Sequence, residues 1–116
     1  MLTVLSAKEL LGPSSRTMRF EGEDLDAAVS FFVVDLAPGE GPDQHVHPYA
    51  EVFIPLLGAA MFMSDDLRRE AGPDEVIVVG PNTAHGFKTS GTERLSMVCI
   101  HANGRMITEW LDEGAQ

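Results

Sequence analysis

The chain has 116 residues, of which 44% are apolar and 22% charged, values typical of one globular domain rather than of two domains or a disordered chain. Its net charge of −10 makes nucleic acid and anionic membranes poor partners, because phosphate binding requires clustered lysine and arginine. One cysteine, Cys99, cannot form a disulfide within the chain, and the start of the sequence lacks the pattern of a signal peptide. We therefore expect a single cytoplasmic domain over residues 1–116 with no membrane span.

Short helices are predicted near both ends of the chain. Ser6 and Glu9 form a capping-box pattern, which predicts a helix over residues 7–11. A second helix, capped by Asn103 and ending before Gly114, would place three apolar residues on one face: Ile107, Trp110 and Leu111. That face would cover one side of the fold or a dimer interface.

Between the helices, short runs rich in β-branched and aromatic residues alternate with turns that contain Gly and Pro. The predicted strands cover residues 16–21, 29–36, 44–47, 51–57, 59–63, 75–79, 86–89 and 94–102. The mixed-charge segment 65–70 is predicted to be a solvated turn of a hairpin. Strands of this length and spacing are typical of an antiparallel sandwich or barrel.

The segment 39–58 contains residue types that bind transition metals. His45 and His47 are two positions apart, so both side chains project from the same face of a strand. Pro48 favours a bend after them, and the carboxylate of Glu51, at the start of the next predicted strand, can face back toward the pair. Imidazole with carboxylate suits Mn, Fe, Co, Ni, Cu or Zn rather than Ca or Mg. Spacing alone leaves open that the histidines lie on the surface and bind no metal.

This spacing resembles the first conserved motif of the cupin superfamily at every signature position: Gly39, His45, His47, Glu51 and Gly58. Residues 74–87 resemble the second cupin motif, in which His85 matches the fourth ligand and Phe87 the aromatic residue that follows it. The second motif departs from the usual pattern at three points, none of them a ligand: Asp74-Glu75 replaces Gly-Asp, Gly80 replaces a proline, and Asn82 replaces the turn glycine. Asparagine tolerates a left-handed backbone, so that turn is expected to persist.

The resemblance covers about residues 28–102 and implies an all-β fold, the double-stranded β-helix or jelly-roll barrel of a small single-domain cupin. It implies a divalent metal, one of Fe, Mn, Zn, Ni or Cu, bound by His45, His47, Glu51 and His85, and no other cofactor. It also implies a homodimer, with which the apolar segment 2–11 is compatible.

Three classes of function remain open from the sequence. The first is a metal-dependent enzyme acting on a small oxygenated molecule, as a dioxygenase-like oxidoreductase, an isomerase, a lyase or a decarboxylase. The second is a small-molecule-binding protein without turnover, and the third is a structural dimer in which the metal only stabilises the fold. Cupins include all three classes, so the fold does not decide between them.

Other residues are candidates for catalysis and for the pocket. His101 can lie near the substrate as an acid or base, or can be a packed or surface histidine at the end of its strand, which is the more common situation. Tyr49 can lie at the mouth of the site or pack outward. The predicted pocket wall consists of Phe53, Phe62, Phe87, Met97 and Cys99. Apolar residues of this kind more often pack in the hydrophobic core than contact a ligand.

Overall fold

Ten short strands form the fold in the computed structural model, which describes residues 1–13 and 15–111. In chain order they are β1 Met18–Glu21, β2 Ser30–Leu36, β3 His45–Val46, β4 Glu51–Leu57, β5 Ala59–Ser64, β6 Leu67–Ala71, β7 Ile77–Val79, β8 Gly86–Ser90, β9 Leu95–His101 and β10 Glu109–Trp110. A helix, α1 Ala7–Leu10, precedes them, and a 3₁₀ turn, Glu23–Leu25, joins β1 to β2. No helix among the described residues is long and apolar enough to cross a membrane.

The strands form three antiparallel sheets. A five-stranded sheet has the order β1-β2-β9-β4-β7, a three-stranded sheet has the order β6-β5-β8, and β10 pairs with β3. A bridge between His45 and His85 links β3 to the start of β8. The predicted antiparallel all-β architecture is confirmed, and β4 has the predicted bounds.

Alternation of buried and less buried residues along β9 and along the first five residues of β4 positions both the core and the site. Every second residue of β9 is buried, which turns Leu95, Met97, Cys99 and His101 toward the interior. The same alternation in β4 buries Glu51 and Phe53, and Glu51 is the register partner of His101. Alternate residues of a strand share a face. The inward face of β4 and β9 is therefore apolar along most of its length and ends in the carboxylate of Glu51 beside the imidazole of His101.

Aromatic rings fill the centre of this interior. The ring centroid of Phe53 lies 5.1 Å from that of Phe62 and 6.0 Å from that of Phe87. Both pairs are edge-to-face, the geometry that the ring quadrupole favours. Phe53, Phe62 and Met97 belong to the buried core cluster.

The turn predicted from Asn82 is confirmed, because this residue has a φ of 59°. Its N–H donates to the carbonyl of His47 at 2.8 Å, which ties the turn before β8 to the segment that carries two candidate ligands. Gly58, at the end of the first motif, has a φ of 77°, and a Cβ there would lie 2.4 Å from the carbonyl oxygen of Arg94. Only glycine fits this position without moving backbone.

The predicted end of the first helix and the predicted turn at 65–70 need correction. The capping box of Ser6 and Glu9 is confirmed, but α1 ends at Leu10, one residue earlier than expected. The segment 65–70 contains, besides a turn at Asp65 and Asp66, the strand β6, which pairs with β5. Its charged residues are exposed because β6 lies at a sheet edge, so the apolar alternation that signals a strand is missing.

The predicted C-terminal helix is wrong within the described residues, where β10 pairs with β3 instead. The side-chain amide of Asn103 donates to the carbonyl of Arg105 at 2.6 Å and caps no helix. Ile107 uses its backbone groups to contact the site, and that tertiary bonding competes with helix formation. Gly114, the predicted end of this helix, lies outside the described residues.

Candidate metal centre

Four side chains from three parts of the chain converge at one end of the sandwich. His45 comes from β3 and His47 from the residue just after it, Glu51 opens β4, and His85 directly precedes β8. Reciprocal backbone hydrogen bonds of 2.9 and 3.0 Å between His45 and His85 fix the two outer segments against each other. All four residues are buried, and one ligand atom from each lies within 4.8 Å of the others. The arrangement could hold a metal ion.

Backbone carbonyls set the orientation of the three imidazoles. Nδ1 of His45 lies 2.7 Å from the carbonyl oxygen of Asp43. Nδ1 of His47 lies 2.8 Å from the carbonyl oxygen of Ile107, and Nδ1 of His85 lies 2.8 Å from that of Thr83. A carbonyl can only accept, so Nδ1 carries the proton in each ring. When the rings are neutral, each Nε2 therefore has a free lone pair.

The lone pairs meet the carboxylate of Glu51 at short distance. Nε2 of His47 and Nε2 of His85 each lie 3.1 Å from Oε1 of Glu51. Nε2 of His47 is buried and has no hydrogen-bond partner among the described residues. Burial lowers the pKa of His45 from 6.5 to about 4, so this ring is neutral near pH 7. Imidazole nitrogens and a carboxylate that face each other in this way could hold a divalent transition metal between them.

The charge of Glu51 points to the same kind of site. Burial alone would raise the pKa of this carboxyl, but hydrogen bonds from the surrounding imidazoles of His101, His47 and His85 outweigh burial and lower it. The site therefore favours the anionic form of Glu51, and a metal ion bound between these groups would favour it in the same way.

His101 and Tyr49 both lie inside the site. His101 is only 2% exposed, with Nε2 3.1 Å from Oε2 of Glu51. His101 is therefore a packed histidine rather than a surface one, and its part in the chemistry stays a prediction. The hydroxyl of Tyr49 lies 2.7 Å from Nδ1 of His101, so the tyrosine faces inward rather than outward.

Sequence reasoning missed three contributions from the C-terminal segment. The carbonyl of Ile107 holds His47, the hydroxyl of Thr108 lies 3.3 Å from Nδ1 of the same ring, and the ring of Trp110 lies 4.9 Å from that of His45. The signal in the sequence was the single tryptophan of the chain, but its position on a predicted helix face concealed it.

An open cavity of about 840 Å³ leads from these residues to the surface. Its inner end is polar, with His47, Glu51, His101 and Thr108. Of the predicted wall residues, Phe87 and Cys99 line this cavity, whereas Phe53, Phe62 and Met97 are packed in the core and do not line it. Burial raises the pKa of the Cys99 thiol well above its usual value, so the thiol stays protonated.

Charged side chains surround the outer part of the cavity. Nε of Arg16 lies 2.9 Å and Nε of Arg94 lies 2.7 Å from separate oxygens of Asp35, and these hydrogen bonds, from Arg94 first, lower the pKa of that carboxyl. Lys88 also lines the cavity and lies 3.0 Å from Asp43.

Comparison with known proteins identifies the family and the fold. The profile of the cupin domain matches residues 32–101, more than half of the chain. No curated protein sequence matches the chain. The resemblance to small single-domain cupins predicted from the two motifs is confirmed.

Solved structures with the double-stranded β-helix fold are similar to this chain. An uncharacterized conserved protein of Klebsiella pneumoniae with a double-stranded β-helix domain has a TM-score of 0.70 at 21% identity, covering 93% of this chain and 96% of that one. A cupin-like protein of Thermotoga maritima has a TM-score of 0.74 at 20% identity, with coverages of 84% and 75%. Oxalate oxidase has a TM-score of 0.73 at 19% identity, with coverages of 93% and 63%. These similarities confirm the predicted fold.

Proposed function

This chain belongs to the cupin domain family, and from that premise we propose that it is a metal-dependent enzyme acting on a small oxygenated molecule. The proposed metal ligands are His45, His47, Glu51 and His85. One observation carries the proposal: Nε2 of His47 is buried at the inner end of an open cavity, its tautomer is fixed, and residues 1–13 and 15–111 offer it no hydrogen-bond partner.

The chemistry of the ligand follows from the charge of the site. Neutral imidazoles, one carboxylate and a divalent ion sum to a charge of about +1, which favours an anionic oxygen donor such as a carboxylate or enolate. A bound divalent metal polarises a carbonyl or stabilises an enolate, and iron also activates dioxygen. The chain contributes orientation through the three carbonyls on Nδ1 and apolar shielding through Phe87 and Cys99.

The proposed reaction belongs to one of four classes: that of a dioxygenase-like oxidoreductase, an isomerase, a lyase or a decarboxylase. Oxalate oxidase shares the fold, at an identity that supports no transfer of its activity. Oxalate is nevertheless a useful first compound, because it offers two carboxylates and no apolar body. The cavity is large enough for longer hydroxy acids and keto acids, which belong in the same panel.

The test uses metal-free protein reloaded with Fe(II), Mn(II) or Zn(II). Each form is incubated with small carboxylic, hydroxy and keto acids while oxygen uptake and product formation are followed. Turnover that disappears with a chelator and in His85→Ala is the expected result. A compound that raises the melting temperature but emerges unchanged from every metal form would support the binding-protein alternative instead. Unfolding on metal removal without any response to compounds would support the structural alternative.

We also propose that the chain forms a homodimer in the cytoplasm. Leu2 and Val4 are 89% and 83% exposed in the single chain, and a second copy would remove such side chains from water. The free, buried thiol of Cys99 fits a reducing compartment.

A further inference from the structure

A line of polar contacts connects the C-terminal segment to the far oxygen of Glu51. The N–H of Ile107 donates to the hydroxyl oxygen of Tyr49 at 3.1 Å. That hydroxyl lies 2.7 Å from Nδ1 of His101, and Nε2 of His101 lies 3.1 Å from Oε2 of Glu51. Tyr49, His101 and Glu51 are all buried. Buried polar groups in such contact restrict one another's orientation.

The donors in this line have a defined direction. A backbone N–H can only donate, so the oxygen of Tyr49 accepts from Ile107 and its own proton is available for Nδ1 of His101. A neutral His101 then carries its proton on Nε2, on the side of Glu51. Its tautomer is opposite to that of His45, His47 and His85.

Nε2 of His101 is buried, and no described residue is in hydrogen-bond geometry with it, although Oε2 of Glu51 lies 3.1 Å away. Oε1 of Glu51 instead faces Nε2 of His47 and of His85 at 3.1 Å each. The two oxygens of one carboxylate therefore have separate neighbours, three imidazoles in all.

We propose that Tyr49 and His101 act together as a positioning pair that engages Oε2 of Glu51 and presents only Oε1 to the metal. The inference rests on the proposed metal site. Its consequence is a coordination position left free: without the pair, Glu51 can rotate and bind through both oxygens. Because His101 also lines the cavity, the free position lies on the side from which a small molecule arrives.

Four variants test the pair. His101→Leu removes the donor, and His101→Gln keeps an N–H at the reach of Nε2. Tyr49→Phe removes only the hydroxyl that orients His101. Thr89→Val is the matched control, because it deletes another buried hydroxyl, on β8, which has no hydrogen-bond partner. Circular dichroism establishes that each variant is folded.

The readouts are the affinity for Co(II), measured by competition with a chelator, and the visible absorption of the Co(II) form, which reports coordination number. We expect His101→Leu to weaken binding by about 10- to 100-fold, as is usual when a hydrogen-bonding partner of a ligand is lost, and to change the absorption spectrum. His101→Gln should recover most of the affinity and the wild-type spectrum. Tyr49→Phe should alter the spectrum in the same direction as His101→Leu, and Thr89→Val should match the wild type.

Two results would overturn the pairing. One is a folded His101→Leu with wild-type affinity and spectrum; the other is His101→Gln as impaired as His101→Leu, which would make His101 a ligand or a packing residue. If His101→Leu does not fold, Tyr49→Phe decides. Wild-type protein that binds no Co(II) would refute the proposed function and this inference together, whereas a metal-binding wild type with indifferent variants would refute this inference alone.

Discussion

Replacing Glu51 by glutamine should have opposite effects on the metal-free and metal-loaded protein. Glu51 is 4% exposed, and the imidazoles of His47 and His85, when neutral, present lone pairs to its Oε1. A glutamine of the same shape can place its amide N–H toward these lone pairs and its oxygen toward His101. The substitution therefore removes a buried charge and adds donors where the metal-free site lacks them.

The magnitudes follow from these contacts. Burying an ion without a charged partner costs several kcal/mol, so we expect the metal-free variant to be as stable as the wild type or more stable by up to about 3 kcal/mol. In the wild type, a metal ion at 100 times its dissociation constant should add about 2.7 kcal/mol. A 100-fold loss of affinity in the variant would leave only about 0.4 kcal/mol at the same concentration.

The assay is thermal unfolding at pH 8 with a chelator and then with Zn(II). For a domain of this size, about 4 °C accompanies each kcal/mol, so the wild type should gain roughly 10 °C and Glu51→Gln roughly 2 °C. Glu75→Gln is the control, because Glu75 lies outside the ligand set and contacts Arg69 at 2.9 Å. A metal-free Glu51→Gln protein less stable than the wild type by more than about 2 kcal/mol would refute the reasoning, since Glu51 would then stabilise the fold without metal.

Three further predictions concern the core, the pH response and assembly. Phe53→Ala should cost about 3–5 kcal/mol in urea denaturation, and Leu56→Ala, at a position 56% exposed, less than about 1 kcal/mol; equal losses would contradict the assigned core. Because the pKa of His45 falls from 6.5 to about 4 on folding, the unfolded chain binds more protons in this interval, and the metal-free protein should lose stability as the pH falls through it. His45→Asn should decline less, and an identical decline would exclude His45 as a cause. Light scattering at micromolar concentration should give about twice the monomer mass of 12.6 kDa, and a monomer would refute the dimer.

The part of the site that depends on local spacing could be predicted from the sequence. Two histidines separated by one residue share a strand face, and a carboxylate after a proline bend can return to them. Spacing thus brings His45, His47 and Glu51 together, whereas their role as metal ligands is implied only by the resemblance. His85 is 34 positions beyond Glu51 in the chain. Its place could be predicted only from the resemblance to the second cupin motif, because no local rule relates positions so far apart.

The contacts around the ligands could not be predicted, because they depend on tertiary pairing. The register of β4 against β9 places His101 beside Glu51, and the sequence of either strand alone does not contain that register. Ile107, Trp110 and Leu111 fit one face of a helix equally well, yet pairing with β3 extends this segment. The strand β6 was missed for a related reason, since an exposed edge strand has no apolar alternation.

The most direct test of a metal centre is elemental analysis of the protein purified without added metal, beside the His45→Ala/His47→Ala double variant. We predict close to one transition-metal ion per chain in the wild type and at least a tenfold loss of metal in a double variant that stays folded. Iron or copper would direct the search to oxygen chemistry, and zinc, manganese or nickel to isomerase, lyase or binding roles. No metal in the wild type even after reconstitution, or equal metal content in both proteins, would contradict the proposed metal centre.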